Sequence, residues 1–323
     1  MGEKTLIIRY KLILSLAFVV SATAVNYAGD DLNSKPELFG EGVISTSEYE
    51  LNASFSPDGN TFYFAKSAPD FSFWTLVESH LVDGKWTKPE ILPFSGKYSD
   101  ADPFMLSGGK VLFFISDRPI NENDTASKDL DIWQVEYDLG HWLKPRRLSS
   151  VINSPQAEWF PCVTDNGTLY FTALREGGQG SYDIYRSRPA ENGWGEPENL
   201  GDSINSKYAE IEAYVPPDES FIIFCSYNRP DGLGNSDMYV SFNNLGVWTA
   251  AKHLDAPINS SAEDRHMTVT PDGRYLVFTS TRGGWETPLE QKLNYSDYQK
   301  KLYSIYNGLG NIFQIEMDAL FEK

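Results

Sequence analysis

Positive charge is scarce in this chain. Its 323 residues carry 27 Lys and Arg against 45 Asp and Glu, a net charge of −18. That excludes a nucleic-acid partner, because phosphate binding needs a basic face. Cysteine is nearly absent. Cys162 and Cys225 are the whole supply, and they fall at offset positions of different repeats. Two buried thiols are expected rather than a disulfide. Histidine occurs four times. His-Glu-x-x-His is missing, which removes the commonest zinc-hydrolase pattern. Gly-x-Ser-x-Gly is missing too, and no length remains for a peptidase domain. The chain holds no long apolar run. Leu12 to Val20 is too short for a comfortable membrane span.

That short run has another meaning. Lys4, Arg9 and Lys11 precede it, and Ser21-Ala22-Thr23-Ala24 follows. This order is a secretory signal, cleaved after Ala24, so residues 1–24 are a leader and 25–34 a linker. Cleavage removes three positive charges and one negative one, leaving −20. The expected location is periplasmic or secreted, as a monomer without a stable membrane span.

Aromatic residues are abundant, and they recur. Phe64, Phe114, Phe171, Phe224 and Phe278 close five variants of one phrase, spaced 50 to 57 residues apart. Tight turns such as Ser56-Pro-Asp-Gly59 and Thr270-Pro-Asp-Gly273 precede the aromatic runs. Third-strand signals begin at Asp131-Ile-Trp133, Asp183-Ile-Tyr185, Asp237-Met-Tyr239 and Asn311-Ile-Phe313. Trp86, Trp142, Trp194 and Trp248 come next, then Leu92, Leu148, Leu200 and Leu254, each three residues after a Pro or Ala. Ile-Asn-Ser recurs at 152–154, 204–206 and 258–260. Four short strands per period of this length mean propeller blades. The fifth repeat lacks a fourth strand. Lys35 to Phe39 with Ile44-Ser-Thr46 supplies the missing phrase from the other end. The expectation is an all-β, five-bladed propeller of four-stranded antiparallel blades over residues 35–323, its last blade closed by the N-terminal strand.

The phrase resembles the PD40, or WD40-like, repeat of TolB-type propellers in exported bacterial proteins. The likeness spans roughly residues 35–320. It implies the propeller fold and leaves function open, since relatives include binding modules, peptidase caps and polysaccharide-acting enzymes.

An acid stands nine residues before each turn: Glu50, Asp100, Glu158, Glu210 and Asp264. Arg118, Arg175 and Arg282 follow the aligned Phe by four residues, while the fourth repeat has Arg229 one step off. Repetition in every blade marks these acids and arginines as structural clasps, because a ligand rarely has five-fold symmetry. Function is sought where symmetry breaks. Glu158-Trp159-Phe160 puts an aromatic pair beside a repeated acid, suited to stacking a sugar ring or cation. His266 follows Arg265 where other repeats have Asn52, Asp102, Phe160 or Glu212. Gly283 to Gly310 is an insertion containing Trp285, with helical spacing over Pro288–Tyr306, expected to lie over the channel face as lid or packing. Trp159, Phe160, His266, Arg265, Trp285 and Glu212 are therefore the candidate ligand residues. No catalytic residue and no metal ligand is assigned. The oxygen-rich stretch Asn121–Asp124 with Asp129 and Asp131 is a weak calcium candidate without the spacing of a calcium loop.

The expected function is a non-catalytic exported propeller that binds a protein, peptide or glycan on its channel face. The alternative is a glycoside hydrolase or polysaccharide lyase using carboxylates at the channel mouth, with His266, Glu212 and Asp264 the sketch for a lyase.

Overall fold

A computed structural model describes residues 35–121, 125, 129–191, 193–285 and 288–320. The leader and linker lie outside the described residues, as do positions 122–124 of the calcium candidate. The described chain forms five antiparallel blades around one axis, with one α-helix, at Tyr295–Leu302. No described helix is long and apolar enough to cross a membrane.

Each blade runs outward from an innermost strand. These are Tyr49–Phe55, Asp100–Met105, Glu158–Val163, Ala209–Tyr214 and Asp264–Val269. Beside them lie Thr61–Ser67, Val111–Ser116, Leu169–Ala173, Phe221–Tyr227 and Tyr275–Ser280. Both faces of these second strands meet neighbouring blades, so their sequences read as continuous apolar runs. Phe62, Phe64, Phe114, Phe171, Phe224 and Phe278 have no exposed surface. Each such side chain contributes roughly 1.5–3 kcal/mol by leaving water.

Closure occurs where the repeat predicts it. Glu37–Leu38 pairs antiparallel with Asn311–Glu316, Leu38 opposite Phe313. Phe39 then wedges into the first blade, with ring centroids 4.7 Å from Phe62 and 5.6 Å from Trp86.

The Ile-Asn-Ser phrase is a latch. Its Ile is buried in each copy. Asn153 accepts from Ile132 N at 2.8 Å and donates to the carbonyls of Ile132 and Leu148, tying fourth strand to third. Asn205 and Asn259 do the same for Ile184 and Met238. Ser45 takes this role for the closing strand, exchanging hydrogen bonds with Ile312. The last residue of the phrase reaches the next blade. Ser154, Ser206, Ser260 and the equivalent Thr46 donate backbone N–H and hydroxyl to Glu158, Glu210, Asp264 and Glu50.

All five repeated acids are fully buried. Arg118 Nη2 lies 2.7 Å from Asp100, and Arg282 Nη2 lies 2.6 Å from Asp264. Arg175 and Arg229 stand 3.5 and 3.8 Å from Glu158 and Glu210. In the first blade, which lacks the arginine, Lys66 pairs with Glu50 at 2.9 Å. A buried carboxylate is tolerated only with such partners. These acids bind blade to blade and do not face the channel. Asp264 is thereby withdrawn from the lyase sketch: Arg282, Ser260 and Ser280 hold its oxygens. Cys162 and Cys225 are both free and buried.

The insertion folds beside the fifth blade. Asn294 caps its helix by accepting from Asp297 N, and no helical residue is buried. Tyr306 packs on Gly283, and Asn307 Nδ2 donates to Ser47 O.

Candidate functional site at the channel mouth

Two residues after each repeated acid, the innermost strand bulges. Its register with the second strand slips at Leu51/Ala53, Ala101/Phe104, Trp159/Cys162, Ile211/Tyr214 and Arg265/Thr268. The residue at each bulge is left-handed: Asn52 (φ 47°), Asp102 (53°), Phe160 (53°), Glu212 (62°) and His266 (54°). Asn and Asp tolerate this conformation, whereas Phe, Glu and His do so at a cost of order 1–3 kcal/mol. The bulge re-aims the side chain, so the acid turns between blades and the bulge residue turns to the axis.

The five bulge residues gather around the channel, and hydrogen bonds join two neighbouring pairs of them. Asp102 Oδ2 accepts from Phe160 N at 3.0 Å. Glu212 Oε2 accepts from His266 N at 2.7 Å, and Glu212 Oε1 lies 3.0 Å from His266 Nε2. The Phe160 ring sits 5.6 Å from that of His266. On one side of the ring a small void of about 50 Å³ continues between residues such as Ala53, Pro103 and Met267. On the other side a pocket of about 240 Å³ opens.

The ring forms the pocket floor, and its walls are aromatic. Phe71 and Trp74 come from the first blade, Trp159 from the third and Tyr227 from the fourth. Trp159 stacks on Phe160 and meets Trp74 edge-on at 6.2 Å. Arg265 spans one side. Its Nη1 donates to Tyr227 Oη, its Nη2 to Tyr49 Oη, and Glu263 lies 3.1 Å away.

Burial sets the charges. Asp102 is held well above the ordinary carboxylate range by loss of water, and the nearby Glu212 charge adds to that rise. Burial alone would raise Glu212 as well, but the adjoining His266 and Arg265 bring it below its ordinary value. Burial lowers His266. Burial thus favours the protonated form of Asp102 and the neutral form of His266, while the neighbours of Glu212 favour its ionised form.

Four side-chain atoms around this pocket are buried without a hydrogen-bond partner: Asn52 Oδ1, Trp74 Nε1, Arg265 Nε and His266 Nδ1. Buried polar atoms are nearly always paired, by protein, water or ligand. All four are closed off behind the pocket surface.

Of the six residues singled out in the sequence, Trp159, Phe160, Glu212, Arg265 and His266 meet in this pocket. Trp285 does not. It packs at a tilt against Tyr298 of the insertion and lines a separate recess with Ser260, Ser261 and Gly308. Among the described residues, none from the insertion lines the central pocket. Sequence reasoning passed over Asn52, Asp102, Trp74 and Phe71. The usable signal was the bulge slot itself, which holds a different residue in every repeat of an otherwise regular phrase. Among the described residues, no cluster of three or more His, Cys, Asp or Glu is arranged to hold a metal ion. Asp131 of the calcium candidate is engaged at both oxygens by Arg147.

No family model and no curated protein matches the chain. Solved structures do. The chain is similar to a BT0996 structure, a complex with RGII, with TM-score 0.54 and 8% identity over 88% of this protein and 91% of that one. It is also similar to an α-L-arabinofuranosidase from Lactobacillus brevis, with TM-score 0.49 and 12% identity over 86% and 93% of the two proteins. A thermostable family-43 glycoside hydrolase aligns with TM-score 0.49 and 13% identity over 75% and 86%. At 8% identity the first likeness bears on the fold alone, whose five blades are those of the chain's own sheets.

Proposed function

We propose that this protein is an exported, PD40-type propeller that recognises carbohydrate, holding one sugar residue in the central pocket. The observation that carries this reading is the pairing of the aromatic walls, Phe71, Trp74, Trp159 and Tyr227, with a floor of polar side chains, Asn52, Asp102, Glu212 and His266. Aromatic faces stack on the apolar face of a sugar ring, and a few placed polar groups fix its hydroxyls. The leader-like N-terminus supports a periplasmic or secreted setting, where glycans are met.

The opposed shifts of the Asp102 and Glu212 carboxyl groups, one raised and one lowered, favour a second reading, glycoside hydrolysis at the same site. Two carboxyl groups whose environments hold one protonated and the other ionised are suited to acid and base roles. Asp102 would give its proton to the departing glycosidic oxygen. Glu212 would take a proton from the attacking water, whose oxygen joins the anomeric carbon.

A glycan array followed by calorimetric titration of the best ligand tests the binding reading. Trp159→Ala is expected to weaken binding at least tenfold, about 1.4 kcal/mol, while Trp285→Ala leaves it unchanged. Full affinity in Trp159→Ala would place the ligand elsewhere. Reducing-sugar release from the bound glycan separates the readings. Turnover that is lost in Asp102→Asn while binding persists supports hydrolysis. Binding without turnover in the wild-type chain leaves recognition alone.

A further inference from the structure

The outermost strand of each blade is a residue pair set against the third strand. The pairs are Glu90-Ile91, Arg146-Arg147, Glu198-Asn199 and Lys252-His253, with Glu37-Leu38 in the closing blade. The second blade alone puts two arginines there. They open onto a recess of about 630 Å³, apart from the central pocket, whose lining includes Lys97, Arg118, Lys144, Arg146 and Arg147. Among the described residues no acid lines it. In a chain of net charge −18, five cations on one recess reverse the prevailing sign.

The scaffold does not require the arginine pair. Arg147 grips Asp131 through Nε and Nη2 at 2.6 and 2.7 Å. The equivalent Asp183 and Asp237 have no arginine. Backbone N–H groups of Gln179, Gly180 and Gly234 hold them, and Asn199 adds its amide to Asp183. Arg146 pairs with Glu136, and both are exposed, so that pair adds little stability. Lys97 rests on the Tyr98 ring, its Nζ 5.1 Å from the centroid.

The arrangement suits an anion. Asp131 is buried and holds Arg147 from behind, which fixes the guanidinium and leaves Nη1 outside that fork. A donor fixed in advance loses less freedom when it binds. Guanidinium forks match the paired oxygens of carboxylate and sulfate groups. Pro119, Ile120 and Pro145 complete the recess with apolar surface, on which ring carbons can rest.

We propose that this recess is a second binding site, for the anionic group of an acidic glycan, a uronate carboxylate or a sulfate ester, held by Lys97, Arg146 and Arg147. The choice of a glycan as carrier rests on the carbohydrate reading above.

The test titrates four probes into the chain at pH 7.5 and low ionic strength, by calorimetry: tetragalacturonate, its fully methyl-esterified form, a galactose tetrasaccharide carrying 6-sulfates, and tetraglutamate. One of the two charged glycans is expected to bind at least tenfold more tightly than the methyl ester, and which of them does so identifies the anion. Lys97→Gln with Arg146→Gln, both exposed positions, is expected to weaken that binding at least fivefold. The melting point and the affinity for a neutral ligand of the central pocket should stay unchanged. Equal binding of charged and esterified glycans overturns this inference and leaves the carbohydrate reading standing. Undiminished binding of the charged glycan in the folded double variant overturns it too, by placing the anion elsewhere. Tetraglutamate binding more tightly than both charged glycans overturns it in favour of an acidic peptide. Absence of binding by every glycan probe, with no hit on the glycan array, overturns both readings.

Discussion

Replacing Asp264 by alanine separates a clasp from a ligand site. Asp264 is fully buried and accepts four hydrogen bonds: from Arg282 Nη2 at 2.6 Å, Ser280 Oγ at 2.5 Å, and Ser260 N and Oγ at 2.6 and 2.7 Å. Removing one partner of a buried ion pair costs about 3–5 kcal/mol, because the other charge stays behind. The carbonyls of Pro257 and Ile258 still hold Arg282, which moderates that cost. The Ser260 N–H is left without its acceptor, which adds to it. A net loss of about 4 kcal/mol is expected. In a domain of this size each kcal/mol moves the melting point by about 2–4 °C, so the fall should be about 8–16 °C. Arg282→Ala leaves the carboxylate three donors and should cost about half as much. The double variant should match Asp264→Ala to within about 1 kcal/mol, since both changes remove one shared interaction. Thermal unfolding followed by circular dichroism measures all three. Five unpartnered acids around a channel would behave oppositely, because removing one relieves repulsion and stabilises. A melting point that rises, or falls by less than about 3 °C, refutes the clasp.

Phe39→Ala should loosen closure of the ring: truncating a buried Phe costs about 3–5 kcal/mol, and hydrogen exchange should show lost protection first in Asn311–Glu316. Asp102 gives a pH signature. Its folded carboxyl stays protonated where the unfolded one ionises, so its contribution is full below about pH 4 and is lost as pH rises toward the folded value, by up to about 1.4 kcal/mol per unit. Asp102→Asn should therefore flatten the decline in stability as pH rises above about 4, measured by urea unfolding. An unchanged slope would show that Asp102 is ionised in the folded chain.

The scaffold was legible because it is written five times. Strand order, blade number and the closing role of Lys35 to Thr46 follow from aligning the copies, and each repeated residue has one local partner set. The pocket was legible only in part. Trp159, Arg265, Glu212 and His266 stand out as irregular residues in a regular frame. Asn52 and Asp102 are ordinary polar residues on paper. What brings them to the pocket is a left-handed bulge, which shifts the strand's two-residue alternation and cannot be read from residue type. Phe71 comes from a loop, and Trp74 and Tyr227 from strand ends, whose reach to the axis depends on blade tilt. Trp285 was misplaced for a similar reason. The insertion turns toward Ser47 and the Ser260–Gly308 recess instead of across the mouth.

The bulge slot also bears on why the ring is not simply structural. Glycine would occupy a left-handed position without strain, and bulges of this geometry commonly use it. This chain instead places Phe160, Glu212 and His266 there, accepting about 1–3 kcal/mol at each. A structural bulge has no need of those side chains. Nor does packing explain the set, because five equivalent neighbours around an axis would favour one residue repeated, as the acids between the blades are. Some of these unlike side chains pair with one another, as Glu212 does with His266, but a ring without symmetry also suits an occupant on the axis that lacks it. A single sugar residue, with unlike groups around its ring, is such an object, and a second copy of any blade is not.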